Sequence, residues 1–380
     1  MLRAAVAAGA DVPLRHVVGV STQPPPASSA NSPGVQWYTA AHPVPDDRSV
    51  AAAGAVLEIA STANDDDLLV LLLSGGASAL MALPVDGISL QDKQRTSRRL
   101  LQEGAEIHGL NAVRKHLSAI KGGRLVAAAG GSVLTLAVSD VVGDDLSAIG
   151  SGPTVPDITT FADALMELDR HGGRDRYPAS VVTRLTGGAN GTVPETPKPG
   201  APRLSRSTAR VIGSARVAID GAREAARSLG YVVHVLDEPV TGEARLAARG
   251  LIEAASRAVR TGGGPSCVLA AGETRVRVAG TGKGGRNQEC ALAMARGLVT
   301  IAANAVAASI GTDGVDGPTD AAGGAVDTTT LARAKAVNVG PPERHLEDNN
   351  SHVFLDELGD LIRTGPTNTN VGDLQIILVA

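Results

Sequence analysis

Two glycine-rich loops in the C-terminal part of the chain hold the residues best suited to chemistry. The first loop reads GTGKGGRNQE (Gly280–Glu289), and the second reads GTDGVDGPTDAAGG (Gly311–Gly324). Backbone N–H groups and cations in the first loop suit phosphate oxygens. Clustered carboxylates without histidine or cysteine in the second loop suit Mg²⁺. Together the two loops predict phosphoryl transfer on a polyanionic substrate.

The first loop places two cations, Lys283 and Arg286, directly before a predicted helix that Asn287 is suited to cap. The glycines also fit G-x-G-x-x-G, but the acidic residue that a dinucleotide site needs about twenty positions later is missing. The P-loop pattern fails because a glycine follows the lysine. The sequence therefore predicts an anion-binding loop, and a solvated hairpin is the alternative. The residues of this predicted site are Lys283, Gly284, Gly285, Arg286 and Asn287.

The second loop resembles a metal-binding loop, because Asp313 and Asp316 are separated by glycine and small residues. It lacks the terminal glutamate of an EF-hand, and aspartate and glycine are also ordinary turn residues. The later segment TGPTNTN (Thr364–Asn370) is dense in hydroxyls and amides, which can bind sugar or phosphate oxygens. We therefore expect Asp313 and Asp316 to bind a metal and Asn370 to contact the ligand.

Further polar residues follow predicted strands, where open α/β sheets bind their ligands. Asp140 ends the strand SVLTLAVSD and could hold a metal or a hydroxyl group, with a simple Asp turn as the alternative. Lys121 precedes two glycines, so it is either part of a helix C-cap or a ligand contact. The loop after LLVLLL can approach an anion or form a tight turn. Its candidate residues are Ser74, Gly75, Gly76 and Ser78.

Apolar runs alternate with helical segments along the chain, which predicts an α/β fold with layered, mostly parallel sheets. A length of 380 residues favours two domains. We place the boundary after the strand YVVHVL, which gives domains of residues 1–240 and 241–380. The Pro- and Gly-rich run at 187–205 is the alternative boundary, and TGGGP at 261–265 is a second connector.

Composition excludes several function classes. The net charge is -4 and there is no basic tract, so nucleic-acid binding is not expected. The run LLVLLL (Leu68–Leu73) is too short to cross a membrane and predicts a buried strand. Two cysteines outside any CxxC motif favour a reducing, cytoplasmic setting. No G-x-S-x-G motif is present, which disfavours a serine hydrolase.

These motifs, in this order, resemble the class II glycerate kinases, the family with the MOFRL C-terminal domain. Members were long labelled hydroxypyruvate reductases. The resemblance runs from about residue 40 to the C-terminus and is highly specific because many motifs match in the same order. The matching segments are HPVPD, LLSGGASAL, NAVRKHLSAIKGG, SDVVGDDLSAIGSGPT, GKGGRNQE, GTDGVDGPTDAAG, NNSHVF and TGPTNTNVGD.

The resemblance implies transfer of the ATP γ-phosphate to the 2-hydroxyl of D-glycerate, giving 2-phospho-D-glycerate with ATP and Mg²⁺. It also implies two α/β domains with the active site in the cleft between them. Ser74, Gly75, Gly76 and Ser78 would then line the substrate or phosphate site. Arg286 would stabilise charge on the transferring phosphoryl group. The candidates for binding Mg²⁺ or the glycerate hydroxyl would be Asp140, Asp313 and Asp316.

One departure from the family pattern concerns the N-terminus. Family members begin with an additional strand and a GxGK loop whose lysine is assigned to catalysis, and we expect this chain to start after that point. The alternatives are an NAD(P)-dependent hydroxypyruvate reductase, which would use Gly280–Gly285, and a shortened paralogue that only binds ligand. The expected partners are D-glycerate and ATP, without nucleic acid or membrane, and a homodimer is left open.

Overall fold

The computed structural model describes residues 14–24, 35–261, 264–301 and 304–380. The chain divides into two compact units. Unit 1 takes the chain up to residue 137 together with residues 144–212, and unit 2 takes residues 138–143 and the chain from residue 213 onward. The predicted division into domains of residues 1–240 and 241–380 remains a prediction. The run at 187–205 lies inside unit 1, and residues 262 and 263 of the TGGGP connector lie outside the described residues.

The strands of unit 1 form a two-stranded sheet and a three-stranded sheet. β1 pairs with β2, and a separate sheet has the order β3-β4-β5, in which β3 and β4 run parallel with Leu68 opposite Ser132. The last residues of β4 and β5 belong to unit 2. The bounds are β1 (Val17–Ser21), β2 (Val35–Thr39), β3 (Leu68–Leu73), β4 (Ser132–Val138) and β5 (Ser207–Gly213).

The helices of unit 1 supply its apolar core, in which Leu100, Leu110, Phe161, Leu168 and Leu185 are buried together. Two helices begin with reciprocal side-chain caps, at Asp46 and at Thr160. The helices are α1 (Asp47–Thr62), α2 (Ala77–Leu80), α3 (Leu90–Gln102), α4 (Ile107–His116), α5 (Arg124–Ala128), α6 (Phe161–Arg170) and α7 (Ala179–Ala189).

Strand β3 was expected to be buried, and that expectation is only half correct. Leu71 and Leu73 are buried, but Leu68 and Val70 are 59% and 44% exposed. Alternate side chains of a strand point to opposite faces of the sheet. The described residues cover only the face that carries Leu71 and Leu73.

Unit 2 is built on one seven-stranded sheet with the order β11-β10-β9-β12-β8-β6, and β7 also pairs with β8. The strands are β6 (Val232–Val235), β7 (Val240–Glu243), β8 (Ser266–Arg275), β9 (Ala305–Gly311), β10 (Gly323–Asp327), β11 (Leu361–Ile362) and β12 (Asp373–Val379). Strands β6 and β7 run parallel to β8. The last strand, β12, lies between β8 and β9 and is antiparallel to both. The α/β class is confirmed, but most strand pairs in this sheet are antiparallel, because β10 and β12 each run antiparallel to both of their neighbours.

Helices cover both faces of this sheet. Val268 and Ala270 of β8 lie in one core with α9 and α10, whereas Cys267 and Leu269 pack with Ile219 of α8 on the other face. The helices are α8 (Ala215–Ser228), α9 (Ala244–Thr261), α10 (Arg286–Leu298), α11 (Thr330–Ala336), α12 (Pro342–Glu347) and α13 (Ser351–Glu357). Within the described ranges, no helix combines the length and apolar character needed to cross a membrane.

Gly188→Ala tests how tightly the helical core of unit 1 is packed. Gly188 lies on α7 against the buried ring of Phe161, and a Cβ at this position would overlap the ring. We expect the free energy of unfolding to fall by about 1–3 kcal/mol, the usual range for an overpacked core. Urea denaturation followed by circular dichroism measures the change.

The matched control is Gly54→Ala on α1, where the added Cβ meets no atom within 4 Å. This variant should be as stable as the wild type or more stable by up to about 1 kcal/mol, because alanine favours a helix over glycine. A Gly188→Ala chain with wild-type stability would contradict the packing described for α7.

Candidate active site

The first turn of α10 is held by a carboxylate from the second glycine-rich loop. The Asp316 Oδ1 atom accepts a hydrogen bond from the backbone N–H of Asn287 at 3.1 Å, and its Oδ2 atom accepts one from the N–H of Gln288 at 2.8 Å. Both side-chain amides donate to the same carboxylate at 3.3 and 3.1 Å. A negative charge at this end also complements the helix dipole. Burial raises the pKa of Asp316, the charge of Asp373 adds to the rise, and the backbone N–H groups oppose it.

This arrangement revises two sequence expectations. Asn287 does not cap the helix as expected, because it lies inside the first turn and Asp316 occupies the capping role. The Asn287 side chain is buried and bonds to Asp316, Asp373 and Ser309. Metal binding by Asp316 and ligand binding by Asn287 remain predictions, and both side chains already have protein partners.

Arg286 is clamped by a carboxylate that the sequence analysis missed. Its Nε and Nη2 atoms donate to the two oxygens of Asp373 at 2.7 and 2.9 Å, and its Nη1 atom lies 3.2 Å from Glu273. Burial would lower the pKa of Arg286, but the hydrogen bonds and charge of Asp373 raise it above the ordinary value. The arginine side chain is 32% exposed. The guanidinium is therefore fixed in orientation, permanently charged and still partly open.

Glu273 and Asp140 are two further carboxylates in the surroundings of Arg286. Burial raises the pKa of Glu273, and the charges of Asp373 and Asp140 raise it further while Arg286 opposes them. The Asn370 Nδ2 atom donates to the Asp140 Oδ2 atom at 3.2 Å, so these two predicted residues do meet. Glu273 and Asp373 lie near the paired ends of neighbouring strands, where Asp373 faces Gly272. Only the strand order brings them together.

Asp313 lies in a loop that is tied to the segment containing Asn370. The Thr312 hydroxyl bonds to the carbonyl of Gly372 and accepts from the N–H of Val371. Asp313 uses its Oδ1 atom to accept from the N–H of Val315 at 3.1 Å. Its Oδ2 atom receives no hydrogen bond from the described part of the chain. One carboxylate oxygen of Asp313 is thus available to a ligand.

The glycines of the first loop serve close packing more than phosphate binding. The N–H groups of Ala279 and Gly280 donate to the Asn349 side chain at 2.7 and 2.9 Å, and the N–H of Gly282 donates to the carbonyl of Asp348. A Cβ on Gly285 would overlap the carboxyl group of Asp316. The expectation that this whole loop offers free N–H groups is therefore wrong for its first half.

Within the described part of the chain, the second half of the loop has the free cation and free N–H donors that the sequence predicts for an anion-binding loop. Lys283 is exposed, and its ammonium has no hydrogen bond or ion pair among the residues that the structure describes. The N–H groups of Gly284 and Gly285 likewise receive no acceptor from those residues. Free donors therefore stand directly beside the clamped guanidinium of Arg286, as an anion-binding loop requires.

The remaining predicted residues belong to unit 1, where the buried Lys121 joins α2 to the turn around Gly150. The Lys121 ammonium donates to the carbonyl and hydroxyl of Ser78 at 3.1 and 3.0 Å, and to the carbonyl of Gly150 at 3.0 Å. Gly76 has a φ of 78°, which a glycine adopts easily, and a Cβ there would lie 3.1 Å from the His42 ring. Gly75 belongs to the same turn, and Ser74 is exposed. The structure thus brings Ser78 and Lys121 together.

The described residues contain no group of three or more His, Cys, Asp or Glu side chains suited to hold a metal ion. Separately, the residues of unit 2 can provide charge stabilisation by Arg286 and carboxylate contacts by Asp140 and Asp313. Unit 1 offers hydroxyl and ammonium donors. Both sets suit an anionic ligand.

Replacing each aspartate of the second loop separates a structural carboxylate from an available one. Asp316→Ala leaves two buried backbone N–H groups without acceptors, at about 1–3 kcal/mol each. We expect the free energy of unfolding of unit 2 to fall by about 3 kcal/mol. Asp313→Ala removes a single hydrogen bond and should change it by about 1 kcal/mol or less. Urea denaturation compares them, and equal losses would contradict the capping role of Asp316.

Comparison with known proteins identifies the family. A family model described as a domain of unknown function (DUF4147) matches residues 1–186, and the MOFRL family model matches residues 266–373. The chain is 40% identical over 351 residues to the glycerate 2-kinase of Pyrococcus horikoshii, covering 91% of this chain and 78% of the relative. It is 39% identical over 349 residues to the D-glycerate 2-kinase of Thermotoga maritima, covering 90% and 79%.

A solved structure is similar along nearly the whole chain. The crystal structure of a glycerate kinase from Thermotoga maritima has a TM-score of 0.85 at 34% identity and covers 99% of this chain and 94% of that chain. Similarity of this extent in both sequence and fold is shared only by members of one family. The chain belongs to the class II glycerate kinase family, the family with the MOFRL domain.

Proposed function

We propose that this chain is a glycerate 2-kinase, which transfers the γ-phosphate of ATP to the 2-hydroxyl of D-glycerate and forms 2-phospho-D-glycerate. Two relatives that carry a glycerate 2-kinase name are 39–40% identical to the chain. The observation that carries the proposal is the clamped guanidinium of Arg286, which lies beside unpaired backbone donors. A cytoplasmic location, a homodimer and the position of the site in a cleft between domains stay predictions.

Arg286 is suited to stabilise the transferring phosphoryl group. Asp373 accepts from its Nε and Nη2 atoms and Glu273 lies 3.2 Å from Nη1, so the guanidinium keeps one orientation. The N–H groups that these carboxylates do not use can face a ligand. Phosphoryl transfer depends mainly on positioning and on neutralising charge in the transition state. Donors that are fixed before the reaction need no reorganisation when that charge develops. Lys283 and the N–H groups of Gly284 and Gly285 would bind further phosphate oxygens.

Asp140 is suited to receive the glycerate hydroxyl. Its carboxylate is oriented by the amide of Asn370 at 3.2 Å. It also lies near enough to Glu273 for its charge to raise the pKa of that carboxyl group. A carboxylate in this position can accept the hydroxyl proton as the oxygen attacks phosphorus. We assign Asp140 this role of general base.

The residues of the second loop fit Mg²⁺ in part. Asp313 has a carboxylate oxygen without a hydrogen-bond partner among the described residues, whereas both oxygens of Asp316 accept from α10. Protein sites for Mg²⁺ commonly use one or two carboxylates and complete the shell with substrate phosphates and water. Asp313 would therefore hold the ion together with ATP. When bound, Mg²⁺ supplies positive charge that offsets the negative charge of the phosphates.

The alternative of an NAD(P)-dependent reductase gains no support from this geometry. Its dinucleotide loop would be Gly280–Gly285, but the N–H groups of Gly280 and Gly282 are bonded to Asn349 and Asp348. These donors are therefore not available to a pyrophosphate. An activity assay of the purified chain with D-glycerate and ATP tests the alternative of a paralogue that only binds ligand.

Arg286→Lys tests the role of the fixed guanidinium. Lysine keeps the positive charge but lacks the planar fork that engages two oxygens at once. We expect the kcat for D-glycerate with ATP and Mg²⁺ to fall at least about a hundredfold. Phosphorus NMR of the reaction mixture measures the rate and identifies the phosphoglycerate isomer.

Arg296→Lys on the exposed face of the same helix is the control and should leave kcat unchanged. Formation of 3-phosphoglycerate, or of no phosphoglycerate by the wild-type chain, would contradict the proposed reaction. Equal activity of wild type and Arg286→Lys would instead contradict the role of the arginine.

Asp313→Asn tests the proposed metal ligand. Loss of the carboxylate charge should raise the Mg²⁺ concentration that gives half-maximal rate by about tenfold or more. The rate is measured at saturating ATP and glycerate over a Mg²⁺ titration. Asp320→Asn in the same loop is the control, because Asp320 bonds to His352 and Arg363 at the surface. An unchanged Mg²⁺ requirement in Asp313→Asn would remove this residue from the metal site.

A further inference from the structure

Unit 1 contains a buried cation that the described protein leaves without a partner. Lys93 lies on α3 and is only 4% exposed, yet its ammonium makes no hydrogen bond within the described residues. A buried ammonium normally has a carboxylate or several hydrogen-bond acceptors around it, because desolvating the charge is unfavourable. Burial lowers the pKa of Lys93 to about 7, and the nearby charge of Arg114 adds to the effect.

The surroundings of Lys93 add further positive charge. Burial lowers the pKa of Lys121 well below its usual range, and the charges of Lys93 and Arg114 contribute. Burial likewise lowers the pKa of Arg114. The carboxylate of Asp157 pairs with Lys115 at 3.2 Å. No carboxylate of the described residues offsets the charge of Lys93, Arg114 or Lys121.

A neutral hydrogen-bond donor near these cations also lacks an acceptor within the described residues. Asn111 and Arg114 lie one turn apart on α4 and so share one face of that helix. The Asn111 Oδ1 atom accepts from Ser151 at 3.0 Å, but its Nδ2 donor is buried and has no partner among the described residues. The Ser151 hydroxyl lies 2.9 Å from the Ser78 hydroxyl, and Ser78 bonds to Lys121. A continuous hydrogen-bond network thus links Asn111 to Lys121.

The common feature of these groups is an excess of donors and positive charge over acceptors and negative charge. Each unpaired buried polar group destabilises the folded protein, and a charged group does so more strongly than a neutral one. Such an arrangement is expected where an anionic ligand supplies the missing acceptors on binding. Packing alone would be served better by an apolar side chain at position 93.

We propose that Lys93 and Asn111 form a binding site for a small oxyanion, either the carboxylate of the hydroxy acid or a phosphate group. Lys121 contributes positive charge rather than a free donor, because its ammonium already donates to Ser78 and Gly150. Arg114 adds long-range attraction from the neighbouring turn of α4. The oxyanion site follows from the unpaired donors alone, whereas the choice of glycerate carboxylate as its occupant rests on the proposed function. In that case the site fixes the acid end of the substrate.

Lys93→Met tests the site, because methionine has a similar length and no charge. We expect the affinity for the bound anion to fall at least about tenfold, while the melting temperature of the ligand-free chain rises because an unpaired buried cation is removed. Calorimetric titrations of the full chain use three probes separately: D-glycerate, inorganic phosphate and ATP without metal. Arg98→Met on the exposed side of α3 is the control and should change neither quantity.

Asn111→Asp is the second variant and supplies the missing negative charge from within the protein. It should keep the bond from Ser151, raise the melting temperature and reduce anion affinity at least about tenfold. It keeps the proposal testable if Lys93→Met does not fold. Unchanged affinity for all three probes in whichever variants fold would overturn the proposal.

The three probes also separate this proposal from the proposed function. Loss of D-glycerate affinity in the variants assigns the site to the acid carboxylate, and loss of phosphate or ATP affinity assigns it to a phosphoryl group. If the variants lose anion binding but the wild-type chain forms no 2-phosphoglycerate, the oxyanion site stands and the kinase proposal fails. If 2-phosphoglycerate forms and the variants bind all probes normally, the kinase proposal stands and this site fails.

Discussion

The buried carboxylate of Asp316 is the interaction on which the arrangement of unit 2 depends. It joins a loop between β9 and β10 to the first turn of α10, across nearly thirty residues of sequence, through four hydrogen bonds. Burying an ionised carboxylate is unfavourable by itself, so the contact is stable only because backbone and amide donors surround it. This requirement fixes where α10 begins and brings the two glycine-rich loops into contact. It also explains Gly285, since any larger residue there would displace the carboxylate.

The position of Arg286 follows from the same contact and from a second one. Asp316 sets the start of the helix, and Asp373 at the start of β12 holds the guanidinium. Strand β12 is itself fixed between β8 and β9. The central strand β12 therefore positions the guanidinium of Arg286 through Asp373, and the Asp316 cap positions its backbone at the start of α10. Charge stabilisation of a phosphoryl group benefits from this rigidity, because the donors are oriented before the substrate arrives.

The sequence was sufficient to predict the α/β class, most strands and the two loops, because apolar runs and glycine-rich turns are local patterns. It could not assign partners that lie far apart in the chain. Asp316 looked like a metal ligand, since nothing local indicates that its oxygens are used by residues 287 and 288. No local pattern singles out Glu273 or Asp373, because a single carboxylate near a strand end becomes informative only once β8 and β12 are known to be neighbours. Nor does any local pattern single out Lys93, because its burial depends on the packing of α3.

Among the residues of the candidate sites, hydrogen-bond satisfaction separates side chains whose partners are within the protein from side chains that keep a free donor or acceptor. In unit 2 the side chains of Asp316, Asn287 and Asp373 satisfy one another, so each is explained by folding alone. The oxygen of Asp313, the ammonium of Lys93 and the amide of Asn111 are not satisfied by the described residues, and two of these three groups are buried. Folding provides no compensation for leaving such groups unpaired. Their chemistry also divides the ligands, because the lysine and the amide donate hydrogen bonds, which suits an anion, whereas the carboxylate suits a cation. An anion at the unit 1 groups and a divalent cation at Asp313 in unit 2 are each consistent with phosphoryl transfer from ATP to a hydroxy acid, which uses both kinds of ligand.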